Sequence, residues 1–273
     1  MATWLITGCS TGLGRALAAA VLDRGDTVIV TARDAAKVAD LAEAHPDTAL
    51  ALPLDVTDHA QVRDVLRTAR DRFGAIDVLV NNAGHGYRAA VEEAAEDHVQ
   101  ELFATNLFGP AALIQAVLPE MRARRGGTIV NVTSAGVRSH PIGTGHYVAT
   151  KAALDALTAV LRKEVAPLGI TVMAVEPGAF RTDYKRSLTR PRDEISAYAG
   201  TVGARRRSDP AEHGHQPGDP DKAAQAVITA VQSPDPPSLL LLGSDALAWF
   251  DDAMKELRAD ADAWQPTTIS TDF

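Results

Sequence analysis

Cysteine is almost absent from this chain of 273 residues, since Cys9 is the only one. A single thiol excludes an internal disulfide and is consistent with a reducing compartment. Continuous apolar runs such as Leu239–Leu242 are far too short to cross a bilayer. Residues 1–20 also lack the charged start and unbroken apolar stretch of a signal peptide. These absences predict a soluble, cytoplasmic protein with no membrane partner.

Concentrated positive charge is lacking as well. The net charge is −8, and the basic residues are scattered apart from Arg122–Arg125 and Arg205–Arg207. Nucleic-acid binding usually requires a coherent basic face, so we expect no nucleic-acid partner. The pair His213 and His215 has no third ligand in view, and we expect no metal site. Without linkers, repeats or low-complexity tracts, residues 1–273 are predicted to form one α/β domain.

The first motif is a glycine-rich turn between a strand, Thr3–Thr7, and a helix that includes Arg15–Leu22. Glycines let the backbone turn tightly and approach a ligand, while a helix N-terminus offers free N–H groups to a pyrophosphate. Any tight strand-to-helix connection can use glycine, so the motif is only suggestive by itself. We predict that the turn binds a dinucleotide through Gly8, Ser10, Thr11, Gly12, Leu13 and Gly14.

The second strand, Asp26–Ala32, ends without the acidic residue that usually binds the ribose 2′-hydroxyl of NAD. Its end position is Ala32, and Arg33 follows. An arginine without a competing carboxylate suits a 2′-phosphate, so we predict NADP(H) rather than NAD. The neighbouring Asp34 is better explained as the N-cap of the next helix. A merely solvated Arg33 is the alternative.

Three further strand ends carry candidate cofactor contacts. Asp55 and Val56 follow the strand Ala49–Leu54, and the carboxylate could bind the adenine amino group. Small residues and amides after the strand Ile76–Val80 would leave room for a ribose, although Asn-Asn is also common turn chemistry. A Pro-Gly bend after Ile170–Val175 could bring Thr182 to a nicotinamide carboxamide and a phosphate. The residues concerned are Asn82, Ala83, Gly84, Pro177, Gly178 and Thr182.

The motif that carries chemistry is Tyr147 followed by Lys151, with Ser134 upstream at the end of the strand Gly127–Ser134. Residues four apart on a helix share a face, so the phenol and the ammonium can face the same cleft. A nearby cation would lower the pKa of Tyr147 and let it exchange a proton near neutral pH. Ser134 could hold a carbonyl or alcohol oxygen within reach. The alternative is an exposed Tyr–Lys pair and a strand-end serine.

Asn106 lies within an apolar helical stretch, Leu102–Phe108, where a buried amide needs partners. It could bond a backbone kink near Gly109–Pro110, hold a water that relays protons to Lys151, or both. After the sixth strand, residues 183–220 are rich in Arg, Asp, Gly and Pro, and we interpret this long irregular segment as a substrate lid. Residues 265–273 are predicted to be a loosely held tail.

Taken together and in order, these motifs resemble those of the short-chain dehydrogenase/reductase family over Thr3 to about Leu242. The resemblance implies a doubly wound Rossmann-type α/β fold, with a seven-stranded parallel sheet flanked by helices on both faces. It makes Tyr147 the acid/base, assigns Lys151 to the nicotinamide ribose and Ser134 to the substrate oxygen, and places Asn106 in a proton relay. Three segments, Val30–Asp34, Gln216–Pro220 and Leu241–Asp245, are similar to bacterial members near the 17β-hydroxysteroid dehydrogenase-like group, which tends toward NADP.

The implied activity is hydride transfer between NADP(H) and a ketone, an aldehyde or a secondary alcohol, with a small-molecule substrate. The implied assembly is a homodimer or homotetramer packed through the helices of Asn106 and Tyr147. The alternatives are an NADP(H)-sensing protein without catalysis and an NAD-dependent alcohol dehydrogenase of the same fold. Sensing proteins of this fold typically lose the tyrosine or the lysine, and this chain keeps both.

Overall fold

The computed structural model describes the backbone of residues 1–273 and every side chain except that of Glu212. Seven parallel strands form one sheet in the order β3-β2-β1-β4-β5-β6-β7. Their bounds are β1 Thr3–Ile6, β2 Thr27–Ala32, β3 Ala49–Pro53, β4 Val78–Asn81, β5 Thr128–Val132, β6 Thr171–Pro177 and β7 Leu239–Leu242. The predicted seven-stranded parallel sheet and its order of strands along the chain are confirmed.

The strand order reverses between β1 and β4, which are adjacent in space although β2 and β3 intervene in the chain. In open α/β sheets, ligands bind outside the carboxyl ends of the strands at such a switch point. The glycine turn after β1 and the Asn81–Gly84 segment after β4 meet at this point. The topology therefore brings two of the predicted cofactor motifs together.

Helices cover both faces of the sheet. Their bounds are α1 Gly12–Asp23, α2 Ala39–Ala44, α3 His59–Phe73, α4 Glu96–Phe103, α5 Gly109–Arg124, α6 Gly136–Ser139, α7 Gly145–Val165, α8 Val202–Glu212, α9 Pro220–Gln232, α10 Ser244–Ala263 and α11 Gln265–Ile269. Aspartate caps fix several starts: Asp58 accepts from Ala60 and Gln61, and Asp219 accepts from Asp221 and Lys222. The predicted cap at Asp34 is also confirmed, since its side chain accepts from the N–H of Ala36.

Alternating strand residues build two apolar cores. Ile6 and Val30 face α1 and α9, where they pack with Leu17 and Ile228. Leu5, Ile29 and Leu79 point to the other face and pack with side chains of α3, α5 and α7. Because both faces are buried, the strands read as short continuous apolar runs. This pattern allowed the strands to be predicted from the sequence.

One helical run is longer and more apolar than the short apolar runs that the sequence analysis considered. The run Glu96–Arg124 contains 29 residues, and its most apolar stretch has a mean hydropathy of 1.4, enough by length and composition to cross a membrane. It comprises α4, a π-helical turn at Ala104–Phe108, and α5. Leu113, Val117 and Met121 pack in the core of the sheet. We therefore interpret the run as a core helix.

The lid and the tail are more ordered than predicted. Residues 183–220 contain short 3₁₀ turns at Asp183–Lys185 and Ser196–Tyr198 and then α8, whereas the sequence suggested one weak helical stretch near 194–204. The tail forms the short helix α11, although all its side chains are exposed. Most of α10 is exposed too, and of its residues only Ala246 is buried. The lid thus contains more helix than predicted, while the loosely held tail stays a prediction.

Candidate active site

The glycine turn rests directly on the segment that follows β4. The Asn82 side chain donates to the carbonyls of Thr7 (2.8 Å) and Gly8 (3.1 Å), and the Thr7 hydroxyl accepts from the N–H groups of Asn82 and Ala83. Gly8 has φ +72°, and a Cβ there would lie 2.8 Å from the Cα of Ala83. Asn82 therefore supports the shape of the turn, a role that the sequence analysis described only as making room for a ribose.

The start of α1 has the features of an anion site. Within the described part of the chain, Thr11 at the N-cap makes no side-chain hydrogen bond to the helix, which leaves the first amides free. A Cβ on Gly14 would overlap the Asn82 amide, so Gly14 serves close packing. A Cβ on Gly12 would lie 3.4 Å from the Thr182 side chain. Thr182 thus faces the turn from the far side of the cleft, as predicted for a phosphate contact.

The residues predicted to contact the adenosine half lie after β2 and β3. Arg33 is exposed and, within the described residues, has no carboxylate partner, while Asp34 is engaged in its cap. One oxygen of Asp55 accepts from the N–H (2.9 Å) and the hydroxyl (2.7 Å) of Thr57. Val56 is buried against Gly109 and forms part of the packing there.

The predicted catalytic residues come together. α7 begins at Gly145, so Tyr147 lies in its first turn and Lys151 one turn later. The Lys151 ammonium is buried and donates to the Val132 carbonyl at the end of β5 (2.8 Å). Ser134 Oγ accepts from the N–H of Gly136 (3.0 Å), and the Ser134 hydroxyl acts to lower the pKa of Tyr147.

The electrostatics differ from the prediction that Lys151 lowers the pKa of Tyr147. Burial raises the pKa of Tyr147, and the hydroxyls of Tyr184 and Ser134 oppose the rise. Burial lowers the pKa of Lys151 to about 8. Lys151 does not offset the rise, because its ammonium bonds the Val132 carbonyl and burial favours its neutral form.

Asn106 lies in the π-helical turn at Ala104–Phe108 and is completely buried. Its side chain accepts from the N–H of His85 (3.1 Å) and donates to the His85 carbonyl (3.0 Å) and the Thr150 hydroxyl (3.1 Å). The predicted bond to the kink near Gly109–Pro110 is wrong, because the partners are the loop after β4 and α7. A Cβ on Gly84 would lie 3.0 Å from Asn106 Oδ1 and 3.4 Å from Lys151 Nζ. Asn106 is thus next to Lys151 across Gly84.

Pro177 is the last residue of β6, which runs two residues beyond the predicted end at Val175, and Gly178 follows it under α10. The Asp245 carboxylate accepts from the N–H of Ala179 (2.7 Å), and a Cβ on Gly178 would overlap that carboxylate. Two aromatic residues near the cleft serve the framework. Phe180 packs against the α1 core, and the buried Tyr87 hydroxyl accepts from the N–H of Ala95 (3.2 Å).

A cavity of about 470 Å³ lies beside the start of α1. Its lining includes Gly12 and Thr182, together with the guanidinium groups of Arg15 and Arg181. Ser134, Tyr147 and Lys151 are not among its lining residues. The cavity therefore represents the outer, phosphate side of the cleft and not the reaction centre.

Tyr184, in the lid, is a site residue that the sequence analysis missed. Its ring lies 5.9 Å from the ring of Tyr147, tilted by 51°. Its hydroxyl points at Gly86, where a Cβ would overlap it. Local sequence gave no signal for this contact, because the two tyrosines are 37 positions apart (184 − 147) in different elements.

Two buried ion pairs fasten the lid to the segment after β4. Arg88 contacts Asp209 through Nε (3.0 Å) and Nη2 (3.2 Å), and Arg206 contacts both oxygens of Glu93 (2.7 and 3.0 Å). The Glu93 side chain is fully buried, and the hydrogen bonds from Arg206 lower its pKa to about 2. We call these two pairs the lid latch. They keep α8 over the active-site side of the sheet.

Known proteins agree with this architecture. A family model described as short chain dehydrogenase matches residues 2–193. An oxidoreductase of Botryotinia fuckeliana, BOA17, is 35% identical over 269 residues, which are 98% of each chain. The crystal structure of a short-chain dehydrogenase from Streptomyces avermitilis is 43% identical, with a TM-score of 0.92 over 100% of this chain and 98% of that one.

A more distant structure is the alcohol dehydrogenase of Thermococcus sibiricus in complex with 5-hydroxy-NADP. It is 26% identical, with a TM-score of 0.72 over 89% of this chain and 96% of that one. The family match covers most of the chain and includes the glycine turn, the Asn81–Gly84 segment and the Tyr147–Lys151 pair. The chain therefore belongs to the short-chain dehydrogenase family of oxidoreductases, whose fold binds a nicotinamide cofactor.

Proposed function

We propose that this chain is an NADP(H)-dependent oxidoreductase that interconverts a ketone or aldehyde with the corresponding alcohol and uses Tyr147 as its acid and base. The observation that carries the proposal is the position of residues 82–84. On one side Ala83 touches the glycine turn at Gly8, and on the other side Gly84 faces Lys151. The cofactor-binding turn and the catalytic residues therefore border one cleft.

The residues of this cleft fit a dinucleotide. The unpaired amides at the start of α1 would take the pyrophosphate, Thr182 would contact a phosphate and the carboxamide, and Lys151 would bind the nicotinamide ribose. Asp55 keeps a carboxylate oxygen available for the adenine amino group. When bound, the cofactor supplies or accepts the hydride. The protein contributes orientation and proton transfer.

The route of the proton follows from the arrangement of the hydroxyl groups. In reduction, Tyr147 donates its proton to the oxygen that becomes an alkoxide, and in oxidation it accepts the proton back. Gly136 donates to the lone pair of Ser134, so the serine keeps its own proton for the same oxygen. Hydrogen bonds to charge that develops only in the transition state lower the barrier most. Lys151 retains N–H donors beyond the one that bonds Val132.

The preference for NADP(H) is supported by Arg33. Its guanidinium is exposed at the carboxyl end of β2, where a 2′-phosphate would lie, and Asp34 is occupied as a helix cap. The first residue after β2 is thus basic, and the acidic Asp34 follows it with one carboxylate oxygen bound in the helix cap.

We extend the proposal to the substrate, the assembly and the location. The substrate is a small, largely apolar carbonyl or alcohol compound, since Val137 and Tyr184 are among the residues around the Ser134–Tyr147 site. A homodimer or homotetramer is supported by Phe108 and Val160, which are apolar and more than half exposed next to the Asn106 turn and on α7. A cytoplasmic location is supported only by the single, buried cysteine.

The experiment is a turnover assay of wild type and Tyr147→Phe with NADPH and a panel of ketones and aldehydes. General acid catalysis contributes about 10²–10⁴-fold, so the variant should lose at least about a hundredfold in kcat. Its affinity for NADPH should stay close to that of wild type, because the ring remains. Retained turnover in Tyr147→Phe would refute the assignment of the acid.

A further inference from the structure

The beginning of the lid is fixed in place by backbone contacts. Thr182 accepts from the N–H of Tyr184 (3.4 Å) and starts the turn Asp183–Lys185. Five residues later, Thr189 donates to the Gly86 carbonyl (3.0 Å) and accepts from the N–H of Arg88 (2.9 Å). The segment that carries Tyr184 is therefore held at both ends against the cleft.

Gly86 provides the space for the Tyr184 ring. A Cβ at Gly86 would overlap the Tyr184 hydroxyl and would lie 2.5 Å from Leu188 Cδ2. The three heavy atoms nearest to that Cβ all belong to these two lid side chains. The absence of a side chain at residue 86 thus lets the phenol of Tyr184 extend down to the reaction centre.

Three hydroxyls gather there. The ring of Tyr184 lies 5.9 Å from the ring of Tyr147, and the hydroxyls of Tyr184 and Ser134 both counteract the rise that burial causes in the pKa of Tyr147. Although 37% of Tyr184 is exposed, its hydroxyl end packs against Gly86. Lys151 is directed at Val132, and the groups that act on the pKa of Tyr147 are the hydroxyls of Tyr184 and Ser134.

We infer that Tyr184 is a positioning residue, whose hydroxyl donates to Tyr147 and holds that phenol toward the substrate oxygen. The inference rests on the proposed role of Tyr147. A phenol oxygen can accept one hydrogen bond while its own O–H donates to another oxygen, so the contact is compatible with proton transfer to the substrate. The same donor stabilises the phenolate that exists after the transfer.

A different role for the same contact would be obstruction. If Tyr184 simply filled the position of the substrate oxygen, its removal would free the site and improve substrate affinity. If it positions Tyr147, its removal slows proton transfer and shifts the pH at which Tyr147 ionises. The two roles therefore predict opposite changes.

The test is Tyr184→Phe, assayed in both directions over a range of pH. Hydrogen bonds to charged groups are strong enough for a loss of about tenfold in kcat, and we expect that loss with little change in KM. Alcohol oxidation requires the phenolate of Tyr147, and loss of the donor raises the pKa of that phenol. The rise of kcat with pH should therefore move to higher pH, which a purely structural defect would not cause.

The matched control is Tyr198→Phe. Tyr198 is another lid tyrosine, and its hydroxyl bonds Glu92 (2.6 Å), away from Tyr147. This variant should keep both the kcat and the pH profile of wild type. A lower KM with an unshifted pH profile in Tyr184→Phe would overturn the inference in favour of obstruction, and no change at all would overturn it as well.

Gly86→Ala tests the same contact from the other side. The added methyl group must displace the Tyr184 hydroxyl, so it should slow turnover and shift the pH profile in the same direction. In the Tyr184→Phe background it should not shift the pH profile further, because the hydroxyl is already absent and only the contacts with Leu188 and the ring remain. A second shift of the same size in the double variant would contradict the inference. Tyr147→Phe distinguishes a failure of this inference from a failure of the proposed function, since retained activity in that variant would refute Tyr147 as the acid.

Discussion

At the scale of single residues, Lys151 combines deep burial with a role that needs its charge. Its pKa is lowered to about 8 by burial, so the ammonium is present below that pH and is lost above it. A cofactor ribose that bonds the ammonium should bind more weakly once the proton is lost. We expect the affinity of wild type for NADPH to fall as the pH rises through about 8.

The measurement is a fluorescence titration with NADPH at pH values from 6.5 to about 9.5. Lys151→Arg keeps its charge over this range because a guanidinium has a pKa above ~12, so its affinity should not fall at pH 8. If the affinity of Lys151→Arg for NADPH fell in the same way, the fall would have to come from the titration of another group.

Residues with local signals were predicted well, and residues with distant partners were not. The caps at Asp34, Asp58 and Asp219 depend on amides two or three positions away and could be predicted from the sequence. The partners of Asn106 are 21 and 44 positions away, so the sequence indicated only that it needed some. Tyr184 gave no local signal for the same reason.

At the scale of elements, the lid latch determines how firmly α8 is held. Glu93→Gln would remove the buried carboxylate that bonds the Arg206 guanidinium, which is only 3% exposed, and would leave the exposed Glu194 (3.2 Å) as its other acidic partner. Removing one partner of a buried ion pair typically costs 3–5 kcal/mol, so we expect about 3 kcal/mol less unfolding free energy. Urea unfolding measures the difference. The exposed Glu92→Gln is the control, with an effect below about 0.5 kcal/mol.

The latch also has a pH dependence with a definite sign. Arg206 lowers the pKa of Glu93 from its usual 4.5 to about 2. The stabilisation is therefore complete above about pH 4.5 and is lost as the pH falls to about 2. Wild type and Glu93→Gln should converge in stability at the acid end of this range. A difference in unfolding free energy that stays constant over this pH range would contradict the proposed ion pair between Arg206 and Glu93.

The latch also explains why the lid was the least predictable element. Its Arg, Asp, Gly and Pro content is typical of a loop, and the sequence analysis treated it as one. Order comes from Arg206 with Glu93 and Arg88 with Asp209, separated by 113 and 121 positions. The strands, by contrast, carry their own signal because burial on both faces demands apolar side chains along their whole length.

At the scale of the whole molecule, the sheet order places the cofactor motifs at one edge. β1 and β4 are neighbours, and the loops after them border the switch point where such folds bind ligands. The sequence contained each motif, but only the resemblance to a family, now supported by the family match, assembled them into one sheet. The choice between NADP and NAD depends on one exposed arginine.

The most direct test of this account is therefore a fluorescence titration of wild type and Arg33→Ala with NADPH and, separately, with NADH. We predict that wild type binds NADPH more tightly than NADH and that Arg33→Ala loses most of this preference while its affinity for NADH is unchanged. Tighter binding of NADH by wild type would contradict the role of Arg33, and binding of neither nucleotide would contradict the proposed function as a whole.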